Sequence, residues 1–478
     1  MRTDRANGRE PRLLHGEAPH PDERRLLLIT YHFPPSREVG ALRWRRFARF
    51  AVDRGWALDV FTLDPDHLAG ADPDSLEELP AAVRVWGVRE AMLPFERLRQ
   101  HLRSFGRRTP TPGRDAGAGR RPDSLRNGEL RSPLAGLRNA LRAVNAWRDY
   151  ARGDAWGRAV ETAVQRVSRD VRYDAVVTCG PPHMVHTAGQ RIAAARGAPF
   201  VMDMRDPWSL LTRISESVAS PVWRAFAQRR EREAVAAAAL VVANTEPSRA
   251  AMQNRYPAAR DRVVAVWNGY DEEPPIPSQR GSSFVIGFAG TIYLDRDPRP
   301  LFRAAGRVIR EFGLEPDQFR LEFMGEVAAF DGVALDTMAT EEGIGGFVRV
   351  LPAGTRAEAM RFMAGASMLV SLTRDTDTAI PWKVFEYARF DAWLLALAPH
   401  GSATELVLQG SGADVISPHD VDAIAAVLRV RYAAHRRGER PTRPHLGETF
   451  SRRTQAHRFF DELERRIPSR RELHDSPV

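Results

Sequence analysis

The feature that most constrains the fold is an alternation of short, continuously apolar runs with helical segments. Each run is bounded by polar, glycine-rich or proline-rich loops. Runs of this kind are typical of parallel strands that are buried on both faces of a sheet. The runs span residues 26–29, 58–62, 175–179, 200–204, 240–244, 263–266, 284–290, 321–324, 348–351, 368–372 and 394–397. The alternation predicts an α/β fold with parallel sheets.

A polar segment with three prolines, residues 273–283, divides these runs into two sets. With 478 residues, the chain is long enough for two domains with a core in each. We therefore predict two Rossmann-like, doubly wound domains facing a cleft. The predicted units are a disordered basic tail (1–24), an N-terminal domain (25–272), the linker (273–283), a C-terminal domain (284–448) and a last helix (449–467) that crosses back to the first domain.

Residues 89–165 differ from the rest of the first domain and are predicted to be a basic, partly mobile insertion. Residues 107–131 are rich in Arg, Gly and Pro, as in a mobile loop. The flanking segments 92–99 and 134–147 place apolar residues at helical spacing among arginines. Such segments either lie on an anionic membrane surface or pack as ordinary surface helices on their own domain.

Composition limits the compartment and the partners. The net charge of +9 predicts attraction to anions such as nucleotide phosphates, lipid headgroups or nucleic acid. The single cysteine, Cys179, allows no disulfide within the chain. No apolar run approaches the roughly 20 residues that span a bilayer, and residues 1–25 lack a secretory signal. We expect a cytoplasmic protein, either free or peripheral at the inner face of the membrane.

Of the 70 Lys and Arg residues, only Lys383 is lysine. A lone lysine suggests a site where a compact ammonium fits and a planar guanidinium does not, although chance retention on a solvated helix is the alternative. Pro381 suits a first helical turn, and Glu386 follows Lys383 by three residues, on the same helical face. The sequence therefore predicts an anion site at this helix.

Polar residues follow the predicted strands of both domains, at the sheet edges where ligands of such folds bind. Each histidine among them is, taken singly, more often a structural residue than a catalyst. Asp203, Arg205 and Asp206 are alternatively a structural ion-pair cluster. The sequence contains no GxGxxG, Walker A or HExxH motif, and no spacing that demands a metal, so we expect no cofactor and no metal.

Several segments together resemble the GT-B-fold nucleotide-sugar glycosyltransferases of the retaining family-4 type, in a bacterial surface-polysaccharide branch. They extend in order over about residues 26–407. The matching segments are residues 31–35 with 40–44, 180–183 with His186, 203–208, 268–271, 287–293 and 383–387.

The resemblance implies that the second domain binds the donor, with Glu386 on the ribose hydroxyls and Lys383 on the diphosphate. It implies that the Gly40 loop contacts the donor phosphates and that His183, His186, Arg205 and Asp206 are acceptor or catalytic groups. The family often has a glutamate eight residues before Glu386, where this chain has Thr378. The other residues predicted to bind the donor are Arg43, Gly290, Thr291, Asp377 and Thr378 itself.

The resulting function is transfer of a sugar from a nucleotide-diphosphate donor to a polysaccharide or lipid-linked acceptor, with retention. We expect Lys383, Arg43 and the helix start to stabilise the departing diphosphate without a metal. One alternative is a nucleotide-sugar epimerase with the same fold. A non-enzymatic basic scaffold or nucleic-acid-binding protein is another, but a nucleic-acid partner is not expected because the arginines are spread along the chain.

Overall fold

The computed structural model describes residues 10–17, 23–68, 70–90, 135–210, 218–271, 274, 276–292, 296–373 and 378–467. Two large sheets account for most of the strands in these residues. The regions predicted as a mobile loop, 107–131, and as a basic segment, 92–99, lie outside the described residues.

The first sheet has eight strands in the order β1-β4-β3-β2-β5-β6-β7-β8. All neighbouring pairs are parallel except β1 with β4, so seven strands form a doubly wound parallel core. The strands are β1 (Arg12–His15), β2 (Arg24–Thr30), β3 (Trp56–Leu63), β4 (Val83–Val88), β5 (Ala175–Gly180), β6 (Phe200–Met204), β7 (Leu240–Ala243) and β8 (Val263–Ala265).

Helices cover both faces of this sheet and bury two apolar cores against it. Local sequence fixes several ends: Ser220 and Thr245 accept hydrogen bonds from backbone N–H groups of the helices that follow them, and Gly197 ends a helix at φ 61°. The helices are α1 (Leu42–Asp53), α2 (Asp74–Glu77), α3 (Ala135–Val167), α4 (Met184–Arg196), α5 (Pro221–Ala237) and α6 (Glu246–Arg255).

The second sheet has six parallel strands in the order β13-β10-β9-β14-β15-β16, and a short hairpin pairs β11 with β12. Its strands and those of the hairpin are β9 (Phe284–Thr291), β10 (Phe319–Glu326), β11 (Ala329–Phe330), β12 (Val333–Ala334), β13 (Val348–Leu351), β14 (Met368–Leu372), β15 (Trp393–Leu397) and β16 (Asp414–Ile416). Its helices are α7 (Arg299–Phe312), α8 (Leu335–Glu341), α9 (Arg356–Gly365), α10 (Trp382–Tyr387), α11 (Ala403–Leu408) and α12 (Val421–Arg436).

The last helix, α13 (Arg452–Arg466), packs on the first half of the chain. Phe459, Phe460 and Leu463 are fully buried in the same core as Trp44 and Phe47 of α1. The chain thus crosses between the halves twice, and the crossings contact each other where Tyr270 pairs with Ser451. This junction fixes the cleft between the two sheets.

Two expectations about the first half need correction. Residues 12–15 are not part of a disordered tail, because they form β1 and pair with β4 at the sheet edge. Residues 135–165 are not a loose insertion either, because they belong to α3, whose Trp156, Val160 and Val164 are buried in the core.

Candidate active site

A cavity of about 360 Å³ opens between the carboxyl ends of the two sheets. In parallel sheets this edge collects the loops that follow the strands, so residues far apart in sequence meet there. The first half contributes His32, Glu38, Val39, Gly40, Arg43, Arg205, Asp206 and Asn268, and the second half contributes Arg296, Ala379, Ile380, Pro381 and Trp382. Thr245 also reaches across the cleft, donating a hydrogen bond to the carbonyl of Thr378 at 2.6 Å.

Gly40 and Arg205 form one wall of this cavity. A Cβ atom at residue 40 would overlap the Arg205 guanidinium, so only glycine allows the two to pack. Arg205 donates to the carbonyl oxygens of Pro181 at 2.9 Å and Gly180 at 3.4 Å, which orients its side chain toward the glycine loop. Asp206, the next residue in the sequence, is exposed and also lines the cavity. These three predicted residues therefore do meet.

Arg43 has a different role from the one predicted. Its guanidinium forms a two-point ion pair with Asp203, at 2.9 and 3.0 Å, with both side chains almost fully buried. It also donates to the carbonyls of Val266 and Trp267, and Trp44 donates to the same Asp203 carboxylate. Because the fork is occupied by protein acceptors, Arg43 holds α1 to the sheet and is not placed as a phosphate ligand. The alternative of a structural ion pair holds for Asp203.

Lys383 lies at the start of α10, and its Nζ atom is buried without a hydrogen-bond partner among the described residues. The nitrogen lies 3.7 Å from the centre of the Phe288 ring. It also packs so closely on Gly290 that a Cβ atom there would be 2.5 Å away. Burial lowers the pKa of Lys383 well below its ordinary value, and Arg296 lowers it further, against a smaller opposing effect of Glu386. The alternative of chance retention on a solvated helix does not fit this buried nitrogen.

Arg296 is a second cation close to Lys383, since its charge lowers the pKa of Lys383. The sequence analysis missed it. It donates to the carbonyl of Thr291 at 2.9 Å and lines the cleft cavity, with 9% of its surface exposed. Gly290 and Thr291 thus position both cations. Glu386 forms an ion pair with Arg356 at 3.3 Å, and neither Glu386 nor Lys383 is among the residues that line the cavity. Asp377 lies outside the described residues.

His183 and His186 belong to a chain of polar groups behind the turn that follows β5. Thr178 Oγ1 lies 2.8 Å from His186 Nδ1, and His186 Nε2 lies 3.5 Å from His183 Nδ1. Burial lowers the pKa of His183 to about 3, and the Arg205 charge adds to this effect. His186 is fully buried, and burial lowers its pKa as well. His186 therefore positions His183 and cannot itself touch a substrate.

His183 lines a second cavity of about 330 Å³, on the other side of this turn from Arg205. Five aromatic residues and several charged ones form it, and His183 stacks on one of them, Trp208, with ring centres 5.2 Å apart. The lining includes Tyr31, Glu90, Asp149, Tyr150, Arg152, Trp156, Trp208 and Trp223. The cavities are neighbours, because Tyr31 lines this one and His32 lines the cleft.

His32 is another cleft residue that was not selected as a site residue, although its position after β2 was an available signal. Its Nδ1 atom is buried without a hydrogen-bond partner among the described residues. Burial lowers the pKa of His32 to about 4, and the charge of Arg205 contributes. Within the described part of the chain, no group of three or more His, Cys, Asp or Glu side chains is placed to hold a metal ion.

No protein-family model matches the chain, and no curated protein matches it in sequence. Solved structures match over almost its whole length. Sucrose-phosphate synthase from Thermosynechococcus elongatus has a TM-score of 0.56 at 13% identity, with 92% of this chain and 98% of that chain covered. The α,α-trehalose 6-phosphate synthase from Burkholderia multivorans has a TM-score of 0.55 at 11% identity, with 95% and 99% covered.

HepE from Anabaena, in complex with UDP and glucose, has a TM-score of 0.53 at 15% identity, with 92% and 100% covered. At such low identities these similarities establish the fold alone. They confirm the predicted GT-B arrangement of two Rossmann-like sheets.

Proposed function

We propose that this chain is a glycosyltransferase that takes a sugar from a nucleotide-diphosphate donor, with the donor phosphates bound by Lys383 and Arg296. The observation that carries the proposal is the buried Lys383 ammonium group without a hydrogen-bond partner among the described residues. A buried amine in this state needs an anionic partner, and Arg296 adds a second positive charge at the same place. HepE, which shares the fold, binds UDP and glucose.

The arrangement supports departure of the diphosphate. Negative charge develops on the phosphate oxygens as the glycosidic bond breaks, and cations fixed beforehand stabilise it more than mobile water does. The Lys383 side chain is packed on Phe288 and Gly290, so a donor would draw its ammonium from the ring toward the phosphates. Gly40 lets the opposite loop approach the same phosphates, and Glu386 is proposed to contact the ribose.

We assign the acceptor to the second cavity. Its aromatic walls suit the apolar faces of sugar rings, and Glu90 and Asp149 suit their hydroxyl groups. His183 lies where this cavity approaches the cleft and is proposed to hydrogen-bond the reacting hydroxyl, while Arg205 and Asp206 border the transferred sugar. The acceptor is proposed to be a polysaccharide or lipid-linked glycan, and the transfer to proceed with retention.

The first turns of α3 support a peripheral position on an anionic membrane. Leu141, Val144 and Trp147 are each about half exposed, at 55%, 52% and 51%. Arg142 and Arg148 lie among them, and this mixture of apolar and basic groups suits a bilayer surface. Among the described residues, no helix is both long and apolar enough to cross a bilayer.

Co-sedimentation with phosphatidylglycerol vesicles tests the membrane proposal. The triple variant Leu141→Ser, Val144→Ser, Trp147→Ser should lose binding, whereas Val430→Ser, which removes an equally exposed apolar group from α12, should not. Equal binding of the triple variant and the unaltered protein would contradict the membrane role.

A donor panel tests the proposed function. Incubation with UDP-, GDP- and dTDP-sugars and a glycan acceptor should give a glycosylated product with one donor, and the anomeric configuration by NMR should equal that of the donor. If no nucleotide sugar and no free nucleoside diphosphate binds, the proposal is wrong. A new sugar isomer formed without acceptor would instead identify an epimerase.

A further inference from the structure

A third cavity, of about 280 Å³, lies at the junction between the two halves and away from the cleft lining. Its walls come from α1, from the segment after β8 and from the start of α13. These are the segments in which the chain crosses from one half to the other and back. The lining residues are Arg46, Arg49, Phe50, Asp53, Tyr270, Asp271, Arg452 and Arg453.

The lining of this junction cavity has a surplus of positive charge, because it contains four arginines and two aspartates. Asp271 serves two of the arginines: Arg452 lies 2.5 Å from its Oδ2 atom and Arg46 lies 3.6 Å from the same atom. Two arginines thus share Asp271, and Asp53 is the other carboxylate of the lining, whereas Arg49 and Arg453 lie at the exposed rim. The field inside the cavity therefore favours an anion.

Arg452 is the fixed centre of this charge. Its side chain is 2% exposed, it donates to the carbonyls of Asn268 and Gly269, and its guanidinium lies 4.6 Å from the centre of the Trp382 ring. Burial lowers the pKa of Arg452 to about 10, with the Arg46 and Arg43 charges acting in the same direction against Asp271. These contacts fix the guanidinium as a positive charge at the wall of the cavity.

We propose that the junction cavity binds a phosphate-bearing anion, held by Arg46, Arg49 and Arg453 beside the fixed charge of Arg452. Arginine forks match the geometry of phosphate oxygens, and four of them surround a volume suited to a small phosphate ester. The site does not depend on the proposed transferase activity, because none of its residues lines the cleft cavity. A soluble phosphate ester and a lipid headgroup both carry such a phosphate group. The titrations below distinguish these two sources.

Calorimetric titration with inorganic phosphate and with glycerol 3-phosphate tests the site. The test variant is Arg49→Gln, Arg453→Gln, because both residues are exposed and their loss should leave the fold intact. Two controls accompany it: Arg458→Gln, an exposed arginine farther along α13, and Lys383→Ala, which removes one of the two cations of the proposed donor site.

Binding should persist in both controls and weaken about tenfold or more in the double variant, the effect expected from losing charged hydrogen bonds. Equal binding in the double variant and the unaltered protein, or loss of binding in Lys383→Ala, would overturn the proposal. The arm with phosphatidic acid vesicles distinguishes the sources. Vesicle binding that requires Arg49 and Arg453, without binding of either soluble probe, would assign the phosphate to a lipid headgroup.

Discussion

The ammonium nitrogen of Lys383 lies 3.7 Å from the centre of the Phe288 ring. The ring offers a cation its negative face, yet it cannot replace the hydrogen bonds that water gives an ammonium. Burial therefore lowers the pKa of Lys383 well below its ordinary value in the chain without ligand. Binding of an anion would reverse this shift, so the stability of the folded chain and its affinity for a diphosphate are linked through one side chain.

The first prediction concerns the pH dependence of stability. The unfolded chain binds a proton at Lys383 with a pKa of about 10.4, whereas the folded chain binds it only at lower pH. Between those two values the unfolded state holds more protons, so this residue destabilises the fold increasingly as pH falls. Lys383→Met should therefore raise the free energy of unfolding at pH 7, and the gain should shrink toward pH 10. Denaturant unfolding measures this gain in the free energy of unfolding. An equal or lower stability of the variant at pH 7 would contradict the buried Lys383 amine.

The second prediction concerns Gly290, which has φ 139° and packs on Lys383. In Gly290→Ala, the new methyl group would lie 2.5 Å from Nζ and displace the ammonium. The variant should lose stability by about 1–3 kcal/mol, the range for a residue held in a disfavoured backbone region. It should also bind UDP more weakly in calorimetry.

Gly281→Ala is the matched control for this change, because a Cβ atom there has no neighbour within 4 Å. It should match the unaltered protein in both measurements. Unchanged UDP affinity in Gly290→Ala would show that the position of Lys383 does not matter for the nucleotide.

Prediction from sequence worked best where burial alone decides the structure. The apolar runs at 200–204 and 368–372 coincide with β6 and β14, because uninterrupted apolar residues fit a strand covered on both faces. β1, β4, β16 and the hairpin strands β11 and β12 were missed. β1 is a short edge strand with exposed residues, β4 alternates buried and half-buried residues over its first four positions, and β16 and the hairpin strands have only two or three residues each. None of them has the continuous apolar run of a strand that is buried on both faces.

The site was harder to predict, since residue type does not say which groups a side chain contacts. Arg43 and Arg205 both belong to motifs of the resemblance and both line the cleft. The guanidinium of Arg43 is nevertheless paired with Asp203, whereas that of Arg205 donates to backbone carbonyls. Arg296 belongs to no motif of the resemblance. It lies close to Lys383 because the loop after β9 packs beside α10. The burial of the Lys383 ammonium likewise depends on Phe288, which lies almost a hundred residues earlier.

The third prediction separates Arg43 from Arg45 on the same helix. Arg43→Ala leaves the buried Asp203 carboxylate without its main partner, which should cost about 3–5 kcal/mol of unfolding free energy. Arg45 pairs with Glu78, whose side chain is 51% exposed, so Arg45→Ala should cost at most about 1 kcal/mol. Thermal or denaturant unfolding gives both values. A small cost for Arg43→Ala would mean that its guanidinium is free to serve a ligand after all.

The fourth prediction concerns His183 and the pH profile of transfer. Because burial lowers the pKa of His183 to about 3, the imidazole is neutral throughout the range in which the chain is assayed. His183→Asn should reduce kcat by about tenfold, as for loss of a hydrogen bond to the reacting hydroxyl, without moving the acidic limb of the kcat/KM profile. An acidic limb near pH 6.5 that disappears in His183→Asn would contradict a neutral His183.

The central claim is that Lys383 binds the phosphates of a nucleotide donor, and calorimetric titration of UDP tests it most directly. Lys383→Met should bind UDP at least about tenfold more weakly than the unaltered protein, since one charged contact to phosphate is lost. Lys383→Arg should also bind poorly, because the space between Phe288 and Gly290 holds a compact ammonium and not a planar guanidinium. Equal affinities of all three proteins for UDP, or no UDP binding by any of them, would contradict the claim.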